Sequence, residues 1–210
     1  MPSIVIKLLK RKKVMKAWYP LFVYLCIQCI TPGPNNFTCL YLGAKYGMKG
    51  VVPFMIGSKA ALFVKTILCG TFSMILANYL PAVSKWLTWI GAAYMVYLAV
   101  IMMMSGWKET MESSGKYSGG TVRDGISLQI FNGKSWIVAM SMFAVYVTPI
   151  SKSFGAVLFA TVLFVVLAIG SSLIWTAFGW GLRDLIAKFK KPFGIIMGLA
   201  LIWCAVKAVL

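Results

Sequence analysis

The side chains best placed to do chemistry in this chain lie at two interruptions of long apolar segments. The first interruption, Thr31-Pro32-Gly33-Pro34-Asn35-Asn36, lies inside an apolar stretch from Ala17 to Gly43. The second, Asn132-Gly133-Lys134, interrupts another apolar run. A lysine beside the unpaired amides of a helix start makes an anion site, and such a site suits a substrate carboxylate.

The first interruption must break or unwind a helix, because Pro32 and Pro34 lack backbone donors and obstruct the preceding turn. In hydrocarbon, the freed carbonyl groups are tolerated only where protein or a water-filled cavity receives them. Broken helices near the membrane midplane therefore often build the small-molecule site of a transporter. We take this segment as the first part of a candidate binding site.

The composition places these interruptions in a polytopic membrane protein. The chain has 210 residues, of which 60% are hydrophobic and only four are acidic. A membrane-spanning helix needs about 20 apolar residues. Six segments satisfy this requirement and predict an all-α protein with six transmembrane helices, at 17–43, 50–77, 82–105, 126–149, 153–180 and 193–210.

A polar loop at 106–125 divides the chain into repeat 1 at 17–105 and repeat 2 at 126–210. Three spans in each half give the halves opposite orientations, which predicts two inverted three-helix repeats. The second interruption then falls about 97 residues after Asn35, and we expect the first and fourth helices both to be broken. The alternative is that one Gly and one Lys in a helix need no symmetry.

The net charge of +17 does not indicate nucleic-acid binding, because the basic residues lie mostly between apolar runs and in residues 1–16. Positive-inside sorting and anionic lipid headgroups account for them. With the N-terminus outside, the predicted cytoplasmic loops carry nine Lys or Arg against three opposite, if the six before Trp18 are left out. We therefore expect 1–16 to be a basic extension, with Met15 as the alternative start, before one transporter domain at 17–210.

Buried charge in the predicted spans comes only from lysine, since all four acidic residues lie in loops or at span ends and the chain has no histidine. This pattern excludes hydrolase chemistry and a carboxylate or histidine proton relay, so we expect no enzyme and no cofactor. Lys59, Lys65 and Lys134 each cost about 2.5–3.5 kcal/mol at the bilayer centre. Lys65 can be read as a lipid-facing residue whose ammonium group snorkels, whereas Lys134 requires a partner or a cavity.

Cysteines and small residues leave two further alternatives open. Cys26 and Cys29 share a helix face, so with Cys39 they could serve a heavy-metal exporter. Without any histidine or a further thiol nearby in sequence, we expect no metal site. Gly194 and Gly198 form a GxxxG step that indicates helix packing within the chain, with a homodimer face as the alternative.

Three motifs in order make the chain similar to the LysE/RhtB family of bacterial amino-acid exporters. Thr31-Pro32-Gly33-Pro34-Asn35 resembles the family's Pro-Gly-Pro signature in the first span. Gly91-Ala92-Ala93-Tyr94 resembles its third-span pattern. Phe131-Asn132-Gly133-Lys134-Ser135-Trp136, after Asp124-Gly125, resembles its Asn-Pro-Lys-Ala-Trp segment. The resemblance covers residues 17–210.

The resemblance implies a six-span efflux carrier of the bacterial inner membrane, driven by the proton gradient, for amino acids or related small metabolites. Two departures matter. Gly133 replaces the family's proline, and Ser58 is followed by Lys59 where some lysine and arginine exporters carry a Ser-Asp pair. Neutral or acidic substrates are therefore expected over basic ones. A non-transporting membrane scaffold remains the other alternative beside metal export.

The residues expected to bind the substrate combine backbone shape with polar groups. The prolines and Gly33 would shape the first break, the asparagines would hydrogen-bond the substrate, and Lys134 would hold its carboxylate, with Lys59 as an accessory. The full predicted set is Pro32, Gly33, Pro34, Asn35, Asn132, Gly133, Lys134 and Lys59.

Overall fold

The computed structural model describes residues 18–75 and 120–209, and between these ranges only Trp89, Ala93, Val96, Tyr97, Ala99, Val100 and Met103. Nearly all described residues are helical. The helices are α1 (Trp18–Ile30), α2 (Pro34–Ile75), α3 (Val122–Phe131), α4 (Gly133–Ser141) with a π-helical turn (Met142–Val147), α5 (Phe154–Gly181), α6 (Arg183–Lys188) and α7 (Lys190–Val209). The expectations for residues 1–16 and for most of the third segment and central loop lie outside the described residues.

Helix α2 folds back on itself at Gly47, which has φ 69° and ψ −177°. Glycine adopts this left-handed region at little cost because it has no Cβ. The hydroxyl of Ser58 donates to Oδ1 of Asn35 at 2.6 Å, whereas 23 residues of straight helix would separate the two by ~35 Å. The boundary predicted at residues 44–49 is therefore present as a single-residue turn.

Glycines let the two arms of α2 approach neighbouring helices very closely. A Cβ added to Gly57 would lie 2.0 Å from the carbonyl oxygen of Val122 at the start of α3. A Cβ on Gly179 of α5 would lie 2.1 Å from the carbonyl oxygen of Leu40. Side chains other than hydrogen cannot fit at these contacts, so glycine sets the spacing between α2 and its two neighbours.

The interior is apolar and the outer faces are apolar as well. A buried cluster of α1, α2, α4, the π-helical turn and α5 includes Leu21, Leu25, Leu62, Phe143 and Val157. By length and composition, two described helices can cross a membrane, Pro34–Phe72 and Phe154–Gly181, and a third crossing results if Val122–Phe131 and Gly133–Val147 count as one span. The described part is thus an all-helical membrane protein, with fewer assigned spans than the six predicted.

Two helix starts differ from the predicted boundaries. Helix α3 begins four residues before the predicted start at 126, because Thr121 and Asp124 form a capping box. The Thr121 hydroxyl accepts from the Asp124 amide at 3.1 Å, and the Asp124 carboxylate accepts from the Thr121 amide at 3.0 Å. Helix α7 begins at Lys190, before Pro192, because proline is tolerated in a first turn that needs no backbone donors.

The small-residue step in the last helix packs inside the chain. A Cβ on Gly198 would lie 2.5 Å from Cγ of Met103 and 2.9 Å from the carbonyl oxygen of Ala99. Gly198 therefore serves a close contact between α7 and the helical residues around Met103. The homodimer stays an untested prediction, and this face of Gly198 is not free to make it.

Candidate functional site

The first helix break lies between Ile30 and Pro34, inside the predicted interruption. The Thr31 amide still donates to the Ile27 carbonyl at 3.0 Å, and helical bonding resumes where the Phe37 amide donates to the Gly33 carbonyl at 2.9 Å. The carbonyl groups in between have lost their helical donors. Such groups need other partners in a membrane interior.

Lys134 from the second break supplies much of this need. Its Nζ donates to the carbonyl oxygens of Gln28 at 3.0 Å, Thr31 at 2.9 Å and Pro32 at 3.4 Å. The aliphatic part of Lys134 passes over Gly33, where a Cβ would lie 3.1 Å from Cδ of Lys134. The ammonium group thus sits at the negative end of the α1 dipole, and Gly33 leaves room for the side chain to reach it.

Three neutral side chains take the remaining carbonyl groups at the end of α1. Asn36 Nδ2 donates to the Cys29 carbonyl at 2.7 Å, and the Ser171 hydroxyl of α5 donates to the same oxygen at 2.6 Å. The Trp175 indole donates to the Ile30 carbonyl at 3.3 Å. The first break is therefore held by residues from α2, α4 and α5 together.

The second break is a bend of 61° at Asn132, between α3 and α4. The Asn132 side chain accepts from the Ser135 amide at 3.4 Å, so it caps the start of α4. The Trp136 indole donates to the Ile130 carbonyl at 2.7 Å, near the end of α3. Gly133 in place of the family's proline still gives a sharp break.

Lys65 of α2 contacts residues on both sides of the second break. Its Nζ donates to the Gln129 carbonyl at 2.9 Å and to the Ser135 hydroxyl, and it lies 5.1 Å from the centroid of the Trp136 ring. The side chain is only 4% exposed. The interpretation of Lys65 as a snorkelling, lipid-facing residue is wrong, because a helix end and an aromatic ring inside the protein receive its charge.

A cavity that is partly open to the outside lies between the two breaks, with about 470 Å³ of space free of protein atoms when its open mouth is included. Its wall combines the starts of α2 and α4 with polar and apolar side chains of α1, α2 and α5. Residues of the wall that matter below are Gly33, Pro34, Asn35, Asn36, Lys59, Gln129, Asn132, Lys134, Ala168 and Ser171.

The side chain of Asn35, which belongs to this wall, connects three parts of the structure. Its Oδ1 accepts from the Ser58 hydroxyl at 2.6 Å, and its Nδ2 donates to the Ser172 hydroxyl at 3.1 Å. These bonds join both arms of α2 to α5. Lys59 follows Ser58 and is 8% exposed, and among the residues that the structure describes no hydrogen bond or ion pair reaches its Nζ.

Most of the residues predicted to bind a substrate meet at this cavity. Gly33, Pro34, Asn35, Asn132, Lys134 and Lys59 all line it. Pro32 instead offers its carbonyl to Lys134, and Gly133 begins α4 without lining the cavity. The ammonium of Lys134 contacts backbone rather than open space, so its role toward a substrate carboxylate stays a prediction.

Several residues of the site were missed by sequence reasoning. Asn36, Gln129, Ser171 and Trp175 were not among the predicted residues, although each caps a break or lines the cavity. Asn36 adjoins the Pro-Gly-Pro motif, and Ser171 is a polar residue in the middle of an apolar span. These two positions carried a usable signal, whereas nothing local distinguishes Trp175.

The cysteines do not form a metal centre in the described ranges. Cys29 and Cys39 are buried and Cys26 is partly buried. Within those ranges, no three His, Cys, Asp or Glu side chains lie close enough together to hold a metal ion. Thiol-based metal export therefore has no built site among these residues.

Two broken helices meeting at a polar cavity inside an apolar helical body define a membrane transporter rather than an enzyme. The profile of the family described as LysE type translocator matches residues 26–210. The chain belongs to this family, as its motifs predicted, and it is an integral membrane transporter.

Curated relatives cover most of the chain. It is 27% identical over 186 residues to a cysteine/O-acetylserine efflux protein of Escherichia coli O139:H28 (strain E24377A / ETEC), covering 89% of this chain and 94% of the relative. Proteins of the same description from Escherichia coli strain K12 and Shigella sonnei strain Ss046 are 26% identical with the same coverage. No solved structure matches the chain.

Proposed function

We propose that the protein is a secondary transporter that exports a small amino acid or a closely related metabolite across the bacterial inner membrane. The observation that carries this proposal is the cavity where the breaks of α1–α2 and α3–α4 meet. Helix starts, amide side chains and ammonium groups converge there, and the surrounding helices partly enclose them. This arrangement can strip water from a polar solute and replace its hydrogen bonds.

The charge of the cavity wall supports a neutral or acidic substrate. None of the described residues that line it is acidic, whereas Lys59 and Lys134 are both present. The side chain of a basic amino acid would bring a further positive charge next to these two lysines, and no acidic residue of the described wall would balance it. The relatives named for cysteine and O-acetylserine export handle small substrates of this class.

For the whole chain we propose six spans arranged as two inverted repeats. The turn at Gly47 gives α2 two antiparallel arms, so residues 18–75 supply a broken first span and a second span. A break of the same kind follows at Asn132, and a long span, α5, comes after it. This order of broken span and intact span in both halves supports the repeat.

The proton gradient is the proposed energy source. The described cavity wall holds no carboxylate and no histidine, so a transported proton must use an ammonium group, the substrate itself or water. This chemistry differs from carriers that use buried acids. It predicts that an imposed pH gradient accelerates export without any buried Asp or Glu in the path.

Counterflow in proteoliposomes tests the proposal. Proteoliposomes that contain the purified protein are preloaded with an unlabelled amino acid. Uptake of labelled L-cysteine, O-acetyl-L-serine, L-glutamate and L-lysine is then measured. We expect counterflow of the neutral or acidic compounds, acceleration by a pH gradient, and little movement of L-lysine. Preference for L-lysine, or no counterflow by protein with intact helical content, would refute the proposal.

A matched pair of variants on α5 ties the activity to the cavity. Ala168 lines the cavity, whereas Ala177 is exposed on the same helix. Ala168→Phe fills part of the space and should abolish counterflow, and Ala177→Phe should leave it unchanged. Equal activity in the two variants would place the substrate path elsewhere.

A further inference from the structure

Lys59 and Lys65, which are buried, and Lys134, which is partly buried, differ sharply in what their ammonium groups contact. Lys134 donates to the carbonyl groups of Gln28, Thr31 and Pro32. Lys65 donates to a carbonyl at the end of α3 and to the Ser135 hydroxyl. In both cases a helix end with its partial negative charge balances the lysine. Neither ammonium group therefore needs a ligand to balance its charge.

Lys59 has no such partner although it is nearly as buried as Lys65. It is 8% exposed and belongs to the cavity wall, and within the described residues its Nζ receives no hydrogen-bond acceptor. Ser58, which precedes Lys59, donates to Asn35, and Asn35, which lines the same cavity, donates to Ser172, so these side chains are bonded to one another. A largely buried charge that no protein group neutralises is unfavourable, so the ammonium group of Lys59 favours binding of an anion in the cavity.

The start of α2 adds to the positive potential of the same cavity. Pro34 occupies the first helical position and has no amide hydrogen. The backbone amides of Asn35 and Asn36 lie in the first turn and make no helical hydrogen bond. All three residues line the cavity together with Lys59. A carboxylate held by Lys59 would therefore also face a helix N-terminus.

We propose that Lys59 is the specificity-determining residue that binds the substrate carboxylate, while Lys134 and Lys65 hold the broken helix ends in place. This inference rests on the proposed function, since it names the anchor within the same cavity. It reverses the order expected from sequence, in which Lys134 held the carboxylate and Lys59 was accessory. The substrate class that follows is a small compound with a free carboxylate.

The inference makes opposite predictions for binding and for stability. Lys59→Met removes an unpaired buried charge, so the protein without substrate should become more heat-stable by a few degrees. Lys134→Met and Lys65→Met remove charges that serve a helix end, so both should become less heat-stable. A purely structural role for Lys59 would make all three variants lose stability together.

Counterflow with a pair of probes provides the decisive experiment. L-cysteine and cysteamine differ only in the carboxylate, and both are measured under reducing conditions in proteoliposomes. The wild-type protein should prefer L-cysteine by about 10- to 100-fold, the range expected for losing a charged hydrogen bond. Lys59→Met should raise the KM for L-cysteine by a similar factor and remove the preference.

Two variants and one control guard the interpretation. Lys59→Gln repeats the test with a polar side chain in case the methionine variant folds poorly, and Lys59→Arg should recover part of the preference. Lys152→Met removes an exposed lysine ahead of α5 and should behave like wild type. If Lys59→Met and Lys59→Gln keep the preference for L-cysteine, the inference is overturned and the proposed function stands. If the folded wild-type protein moves no amino acid at all, the proposed function fails, and the inference fails with it.

Discussion

Replacing Lys134 with methionine tests whether the second break holds the first one. Methionine keeps the unbranched shape that passes over Gly33, but it cannot donate to the end of α1. The carbonyls of Gln28 and Pro32 then lose the one side-chain donor that reaches them from the described residues. The Thr31 carbonyl keeps the Asn36 amide at 3.1 Å.

The size of the effect follows from these two carbonyl groups. The Gln28 carbonyl is partly buried and costs about 1–3 kcal/mol when it is left without a partner, whereas Pro32 is exposed and its bond is long at 3.4 Å, so its carbonyl adds little. Removing the partly buried ammonium group returns some of this free energy, since its own desolvation cost disappears. We expect a net loss of about 1–2 kcal/mol, which lowers the Tm of a chain of this length by about 2–8 °C.

Thermal unfolding in detergent measures this loss, with tryptophan fluorescence as the signal. Lys152→Met, which removes an exposed lysine, is the matched control and should have the same Tm as the wild-type protein. Lys134→Arg, which keeps a charged donor, should lie between the two. An unchanged Tm for Lys134→Met would show that its three hydrogen bonds do not stabilise the break, and the division of roles among the lysines would lose its basis.

Two further predictions concern contacts made by the two ends of α3. Gly57→Ala should lower the Tm by several degrees or prevent assembly, because its Cβ would lie 2.0 Å from the Val122 carbonyl, whereas Gly170→Ala meets nothing within 4 Å and should be neutral or slightly stabilising. Trp136→Phe should cost about 1 kcal/mol and speed hydrogen exchange near Asn132, since the Ile130 carbonyl loses its indole donor at 2.7 Å. Equal Tm values for the two alanine variants, or unchanged exchange in the phenylalanine variant, would contradict these contacts.

The sequence was sufficient for features that depend on local chemistry. Two prolines around Gly33 cannot continue a helix, so the first break was predictable. A glycine between Lys45 and Lys49 indicates a turn, so the turn at Gly47 was predictable as well. The break at Asn132 was predictable only by analogy with the first, because Gly133 alone does not end a helix. The capping box at Thr121 shows how a boundary moves when a local side-chain motif is overlooked.

The roles of the lysines could not be predicted in the same way, because they depend on contacts between distant parts of the chain. Lys134 reaches carbonyl groups more than 100 positions away, and Lys65 reaches Gln129 across 64 positions. A single sequence contains no distance information of this kind. The sequence identified the three lysines as unusual but did not identify their partners. Lys134 was expected to hold the substrate carboxylate, whereas in the structure its ammonium group contacts backbone carbonyl groups.

The way this chain balances its buried charges has a general physical basis. A buried lysine is usually expected to face a carboxylate, but the predicted spans contain no acidic residue, and Lys65 and Lys134 are satisfied by helix ends instead. A broken helix exposes carbonyl groups that must find donors in the membrane, and a buried ammonium group must find acceptors, so each removes the other's cost. Because Lys134 belongs to one break and caps the other, the two breaks stabilise each other, and the cavity between them requires both. Lys59 stands outside this exchange, and that is why its charge remains available to a solute.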